Sequence, residues 1–301
     1  MTAKAIEINE LVKYYGKFQA LKGVTLDVDQ GEIFGFLGPN GAGKTTTIRC
    51  MLDMIRPQGG SIQVLGLNPQ KNPVDVRQRV GYLPGELNFE GNMRVSKALR
   101  YFAELRGNQI DWDYVLELAN RMDLDLEFMV KNLSKGNKQK VGVVQALMHK
   151  PDLLILDEPT SGLDPLMQQE VYRLLRAARD GGATIFFSSH IINEVETLAD
   201  RVAIIRNGVI IEEAEPQELK TMEMRRIRVQ FSEPQTEETL ANMTGVNGMT
   251  RERRDLFTFQ VEGDVDEFIK SLGTYQVIDI DVERPSLEEI FLAYYAGKED
   301  H

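Results

Sequence analysis

At 301 residues, with 42% hydrophobic and 27% charged residues, the chain has material for one large domain with a true core plus a smaller domain. A net charge of −11 argues against a general affinity for nucleic acid or anionic lipid, since both need a basic surface, and the single cysteine, Cys50, excludes an intramolecular disulfide framework and suits a reducing compartment. No run approaches the ~20 apolar residues of a membrane span, and the first residues interrupt every short apolar run with a charge, so the expectation is a cytosolic chain that meets a membrane only through a partner.

Read in chain order, the first elements are strands at Ala5–Val12, Val24–Val28 after a Gly23 turn, and Glu32–Leu37, the last an apolar run bounded by Gly31 and Gly38. A helix is expected from Lys44 to about Ile55, stopping before Pro57, with Cys50 packed in its apolar face. Short strands follow at Ser61–Leu65 and Val80–Leu83, and the pattern is helical between Arg94 and Lys131. Leu153–Leu156, Thr184–Phe187 and Val202–Ile205 then read as buried strands, alternating with helices at Leu166–Ala178 and Ile191–Leu198. Buried strands alternating with helices predict an α/β fold, with a largely parallel sheet covered on both faces. The helical stretch, about residues 86–137, reads as an inserted subdomain. Near Lys220 the composition shifts. From there a βαββαβ order is expected, the ferredoxin-like arrangement: Ile227–Phe231, Glu237–Met243, Gly245–Glu252, Leu256–Val261, Asp264–Leu272 and Tyr275–Val282, closed by a helix at Leu287–Tyr295. The domain boundaries read as 1–220 and 221–301.

The chemistry begins at Gly38-Pro39-Asn40-Gly41-Ala42-Gly43-Lys44-Thr45, followed by Thr46. This is G-x-x-x-x-G-K-[ST] after a strand and before a helix, the context that makes it a P-loop. Such a loop lets backbone N–H groups converge on phosphate oxygens at a helix N-terminus. Lys44 neutralises the terminal phosphates of a nucleotide, and the Thr45 hydroxyl is a ligand for Mg²⁺. A second segment, Leu153-Leu-Ile-Leu-Asp157-Glu158, puts two carboxylates at the end of a buried strand. Asp157 is the expected Mg²⁺ partner, directly or through water, and Glu158 is placed to polarise an attacking water as general base. ATP and Mg²⁺ are therefore the expected substrate and cofactor.

At these motifs the sequence resembles the ATP-binding subunits of ABC transporters, from about Ala5 to Lys220. Leu133-Ser134-Lys135-Gly136-Asn137 is similar to the family signature, usually Leu-Ser-Gly-Gly-Gln; Ser161-Gly-Leu-Asp164 matches the D-loop, and Ser188-Ser189-His190 the switch histidine. The resemblance implies that Ser134, Lys135 and Gly136 meet ATP held by the P-loop of a second ATPase subunit, most simply an identical copy. It also implies that His190 contacts the γ-phosphate and the attacking water, that Asp164 links the two sites, and that Tyr15 stacks on adenine, although an aromatic there is also compatible with simple packing. The other implied partner is an integral membrane permease, which would hold this chain peripherally on the inner face of the cell membrane.

Two departures stand out. After Gly81-Tyr82-Leu83-Pro84 the family usually places a Mg²⁺-contacting glutamine, whereas here Gly85 and Glu86 follow. Glu86 either reaches the metal in its place or faces the membrane subunit. Within the signature, Lys135 adds a cation near an ATP site, which favours binding. The tail, Pro285-Ser-Leu-Glu-Glu-Ile-Phe-Leu292, resembles the closing motif of drug- and antibiotic-exporting ATPases, while its Leu287, Ile290 and Phe291 also make one apolar packing stripe. Arg225, Arg226 and Arg228, with Arg251, Arg253 and Arg254, read best as solvated strand edges. Ribosome- or DNA-acting relatives, with paired ATPase domains or long coiled coils, fit less well, because the chain carries neither feature.

Overall fold

The computed structural model describes residues 3–87, 92–106, 110–216, 224–240, 243, 245–262 and 265–283. The chain divides into two compact units, Met1–Glu215 and Pro216–His301.

In the first unit, β1 (Lys4–Tyr15) and β2 (Phe18–Asp29) form an antiparallel hairpin, and β4 (Gly59–Val64) pairs with the other edge of β1, giving a three-stranded sheet ordered β2-β1-β4. The second sheet is ordered β5-β6-β7-β3-β8-β9, from β3 (Ile33–Leu37), β5 (Val80–Leu83), β6 (Leu153–Asp157), β7 (Thr184–Ser189), β8 (Arg201–Arg206) and β9 (Val209–Ala214). Its strands are parallel except for β9, which runs antiparallel along one edge. Every residue of β3, β6 and β7 is buried, as expected for apolar strands covered on both faces. Between the two sheets runs α1 (Lys44–Met51), whose Ile48, Cys50 and Met51 join Phe34, Phe36 and Phe186 in the core. Cys50 is thus a packing residue, and burial pushes its thiol up to about 11.

Among the described residues of this unit, five more α-helices follow besides the short α2 (Pro73–Arg79): α3 (Val95–Leu105), α4 (Trp112–Arg121), α5 (Lys135–Leu147), α6 (Pro165–Asp180) and α7 (Ile192–Leu198). The expected strands and helices are present, with four differences. Gly23 is not a turn before a strand; it sits inside β2 at φ +90, the extra residue where the register with β1 shifts between Leu11 and Val12, making a bulge that keeps the hairpin continuous. The P-loop helix stops at Met51 rather than near Ile55, because Asp53 turns into the left-handed region and its N–H bonds back to Cys50. α2 and β9 escape pattern reading: α2 buries only Val76, and β9 is a half-exposed edge without clean alternation.

The second unit runs β10 (Met224–Phe231), α8 (Glu237–Leu240), β11 (Val246–Arg251), β12 (Leu256–Glu262), α9 (Val265–Leu272) and β13 (Val277–Glu283). Its sheet is ordered β11-β12-β10-β13 with every pair antiparallel. Alternating Ile227, Val229 and Phe231 face Phe257, Phe259 and Phe268 in a separate core. Arg228 pairs with Glu252, and the Arg251 guanidinium lies 5.8 Å from the Phe257 ring centre, so these two cations are engaged with strand neighbours. The expected helix Leu287–Tyr295 and the motif Pro285–Leu292 lie outside the described residues.

Candidate ATP site

β3, β6 and β7 end side by side, and their carboxyl ends carry the residues singled out by the motifs. β3 delivers Gly38–Gly43 directly onto α1, whose N-cap is Gly43 at φ +120, a conformation open to glycine and strained for other residues. A Cβ there would also lie 2.8 Å from Leu21 Cδ2. Lys44 is buried, and its ammonium donates to the carbonyls of Gly38 at 2.6 Å and Pro39 at 3.1 Å. Burial lowers the Lys44 pKa, opposed by the negative charges of Glu158 and Asp157. A cation is therefore already held inside the loop, wrapped by the loop's own carbonyls.

Asp157 ends β6 at 2% exposure and accepts a hydrogen bond from Thr45 Oγ1 at 2.7 Å and another from the Ser188 hydroxyl. Thr45 and Asp157, 112 positions apart in sequence, thus present two hard oxygen donors at one point, a donor set that fits Mg²⁺, which takes one or two protein oxygens together with phosphate oxygens. One residue further on, Glu158 adopts φ +52, unusual for a residue with a side chain. Its N–H donates to Ser188 O at 3.1 Å and its carbonyl accepts from Gln139 Nε2 at 2.9 Å. That backbone turn swings the carboxylate out to His190, whose Nδ1 lies 3.0 Å from Glu158 Oε1.

Tyr15, Asn40, Gly41, Gly43, Lys44, Thr45, Thr46 and Glu158 line one cavity of about 220 Å³, together with Phe18 and Ala20. Tyr15 is 45% exposed at the hairpin end, so it is a wall of this cavity and not a core aromatic. Phe18, its cross-strand partner in the hairpin, is 65% exposed on the same wall, and the pattern did not single it out. Two aromatics flanking a Gly16 turn was the available signal.

Ser134, Lys135, Gly136 and Asp164 do not line that cavity. Ser134 caps α5, accepting from Asn137 N at 3.2 Å, and Asp164 caps α6, accepting from Leu166 N and Met167 N at 3.0 Å each. The two helix starts pack together: a Cβ on Gly136 would lie 2.6 Å from the Gly162 carbonyl, so only glycine permits that approach. The aliphatic stem of Lys135 lies over Gly162. Glu86 is solvent-exposed, and the residue against Asp157 is Gly85, where a Cβ would stand 3.2 Å from Oδ2. The structure therefore does not bring Glu86 into the Thr45–Asp157 pair. Gln139 and the buried Glu194, whose carboxylate accepts from Thr160 and Ser189, were also not foreseen; both are polar residues within helical segments, where sequence gives no sign of burial.

The family model described as ABC transporter matches residues 21–161. The bacitracin transport ATP-binding protein BcrA of Bacillus licheniformis is 40% identical over 233 residues, 76% of this chain and 75% of that protein. The daunorubicin/doxorubicin resistance ATP-binding protein DrrA of Streptomyces peucetius is 34% identical over 224 residues, 72% of this chain and 67% of that one. Among solved structures, an ATP-binding subunit of an ABC transporter superposes with a TM-score of 0.67 at 30% identity, covering 72% of this chain and 92% of the other. Fold and site together define a P-loop ATPase. The chain belongs to the ABC transporter ATP-binding proteins and is an ATP-binding, ATP-hydrolysing subunit of that family.

Proposed function

We propose that this chain powers export of an amphipathic, antibiotic-like compound through a separate membrane permease, acting as a dimer of identical subunits. The observation that carries the catalytic part is the Glu158–His190 contact beside the Thr45–Asp157 pair. Gly38 to Gly43 and Thr46 cradle the phosphates, Lys44 balances their charge, and Tyr15 and Phe18 face the base. Glu158 takes a proton from the water that attacks the γ-phosphorus, as the bond to the departing ADP oxygen breaks. His190 holds the Glu158 carboxylate at the hydrogen-bond distance seen here. Thr45 and Asp157 would hold Mg²⁺, which when bound offsets charge on the phosphate oxygens.

Ser134, Lys135 and Gly136 open a helix whose N-terminus suits a phosphate, yet they stand away from their own chain's cavity. A second copy supplies the ATP they would meet, with Asp164 at the joint. For the permease, the fitting surface is a largely apolar groove of about 300 Å³ lined by Leu52, Met54, Tyr82, Pro84, Leu87 and Phe102, together with Arg77 and Arg106. No described helix is long and apolar enough to cross a membrane, and docking on that groove would place the chain peripherally on the inner face of the cell membrane. Glu86, exposed at the same loop, suits contact with the permease better than metal binding. The strand order and antiparallel pairing of the second unit support a ferredoxin-like accessory domain, and we assign the domains as 1–220 and 221–301. The relatives named for bacitracin transport and daunorubicin/doxorubicin resistance support export.

Mixing two inactive variants tests the composite site. Lys44→Ala disables its own P-loop and Ser134→Arg its own signature, so a mixed dimer keeps one intact site. ATPase activity is expected to return on mixing; two variants that stay inactive together contradict a site built in trans.

A further inference from the structure

Behind the Glu158–His190 pair lies a third carboxylate that takes no part in the hydrolysis described above. Glu194, on α7, is 4% exposed, and both its oxygens are used: Ser189 Oγ donates to Oε2 at 2.5 Å, and Thr160 Oγ1 donates to Oε1. These two hydroxyls belong to the two chain segments that carry the pair. Ser189 immediately precedes His190, and Thr160 follows Glu158 by two residues. Ser189 is fixed further, accepting from Ile191 N at 2.9 Å. Thr160 is itself 2% exposed, and Leu163 N donates to its carbonyl at 3.1 Å, so the tie reaches the turn that leads to Asp164.

Burying a carboxylate is costly unless its oxygens are hydrogen-bonded, and here hydroxyls rather than a cation satisfy them. Desolvation by burial raises the Glu194 pKa, and the two hydroxyl bonds oppose that rise. A Leu or Met would fill such a site without the cost, so the carboxylate stands where an apolar residue would suffice for packing alone. What it adds is a rigid two-point bracket between the end of β7 and the turn after β6, and those are the segments whose spacing sets the 3.0 Å Glu158–His190 contact.

We infer that Glu194 is a positioning residue for ATP hydrolysis, bracketing Ser189 and Thr160 so that Glu158 and His190 stay in register while the nucleotide is turned over. The inference rests on the reading of Glu158 and His190 as the hydrolytic pair.

The test is a set of steady-state ATPase measurements on Glu194→Ala, Glu194→Gln, His190→Ala and the double variant His190→Ala/Glu194→Ala of the full chain, with KM for ATP and a thermal melt for each. Glu194→Ala is expected to lower kcat about a hundredfold with KM unchanged, the scale of an ~1 Å misplacement. Glu194→Gln, which keeps the shape and one acceptor, should recover most of that loss. In the His190→Ala background the further loss should shrink to a few-fold, because a bracket has little left to hold. An undiminished kcat in Glu194→Ala overturns the proposal, and so does a loss of equal factor with and without His190. If Glu194→Ala does not fold, Thr160→Val and Ser189→Ala each remove one arm; both must lower kcat at constant KM, and two unchanged variants overturn it equally. Glu158→Gln run alongside separates the two readings, since retained turnover there refutes the hydrolytic pair itself, whatever Glu194 does.

Discussion

Glu158 shows most clearly how single residues make this site. Its φ of +52 is a conformation that side-chain-bearing residues avoid, and it is kept by four backbone bonds, from Gln139 Nε2 and Ser161 N to the carbonyl and from the N–H to Ser188 O and Oγ. The strain is maintained because it aims the carboxylate at His190. Residue chemistry yields two further expectations. Cys50, buried in the core with its thiol pushed up to about 11, should resist alkylation by iodoacetamide at neutral pH in the folded chain and react on addition of denaturant. Rapid labelling of the native protein would contradict its placement. Glu86→Ala, altering an exposed side chain away from the Thr45–Asp157 pair, should keep isolated Mg²⁺-dependent ATPase unchanged and lose stimulation by the permease. A shifted Mg²⁺ requirement would return Glu86 to the metal.

At the scale of elements, the coupling of α5 to α6 is the feature to perturb. Gly136→Ala inserts a methyl that would sit 2.6 Å from the Gly162 carbonyl, with backbone on both sides and no flexible side chain to move aside. The two helix starts must then separate, which should lower ATPase about tenfold or more while leaving ADP affinity at the P-loop intact. A variant with full activity would show that the approach of these two loops is not needed. Elements of this kind divide sharply in how far they can be read from sequence. The P-loop, the β6 acids and the β7 histidine were legible because short motifs sit at fixed places between strongly apolar strands. The hairpin aromatic Phe18, the edge strand β9 and helix α2 were not, because each is half-exposed and leaves no periodic apolar pattern. Gln139 and Glu194 were hidden for the opposite reason: they are polar residues that only tertiary packing buries. Glu86 was a plausible metal ligand by position alone; the fold places Gly85 against Asp157 instead.

The whole molecule is an acidic, two-unit chain of net charge −11 whose first unit holds every P-loop ATPase residue discussed here. The cavity walls, the buried Lys44 and the Thr45–Asp157 pair come from one chain, whereas the signature and Asp164 stand apart from that cavity. On the function proposed above, such an arrangement would bind ATP as a single copy and complete the site on pairing. In the proposed function Glu158 is the base of hydrolysis and not a ligand for ATP. The most direct measurement is therefore ATP binding and turnover in the same preparation of Glu158→Gln, which preserves shape and hydrogen bonding but removes the base. Wild-type ATP affinity, hydrolysis reduced by about a hundredfold or more, and an ATP-dependent shift to dimer on size-exclusion chromatography are expected. Turnover at the wild-type rate would contradict that role.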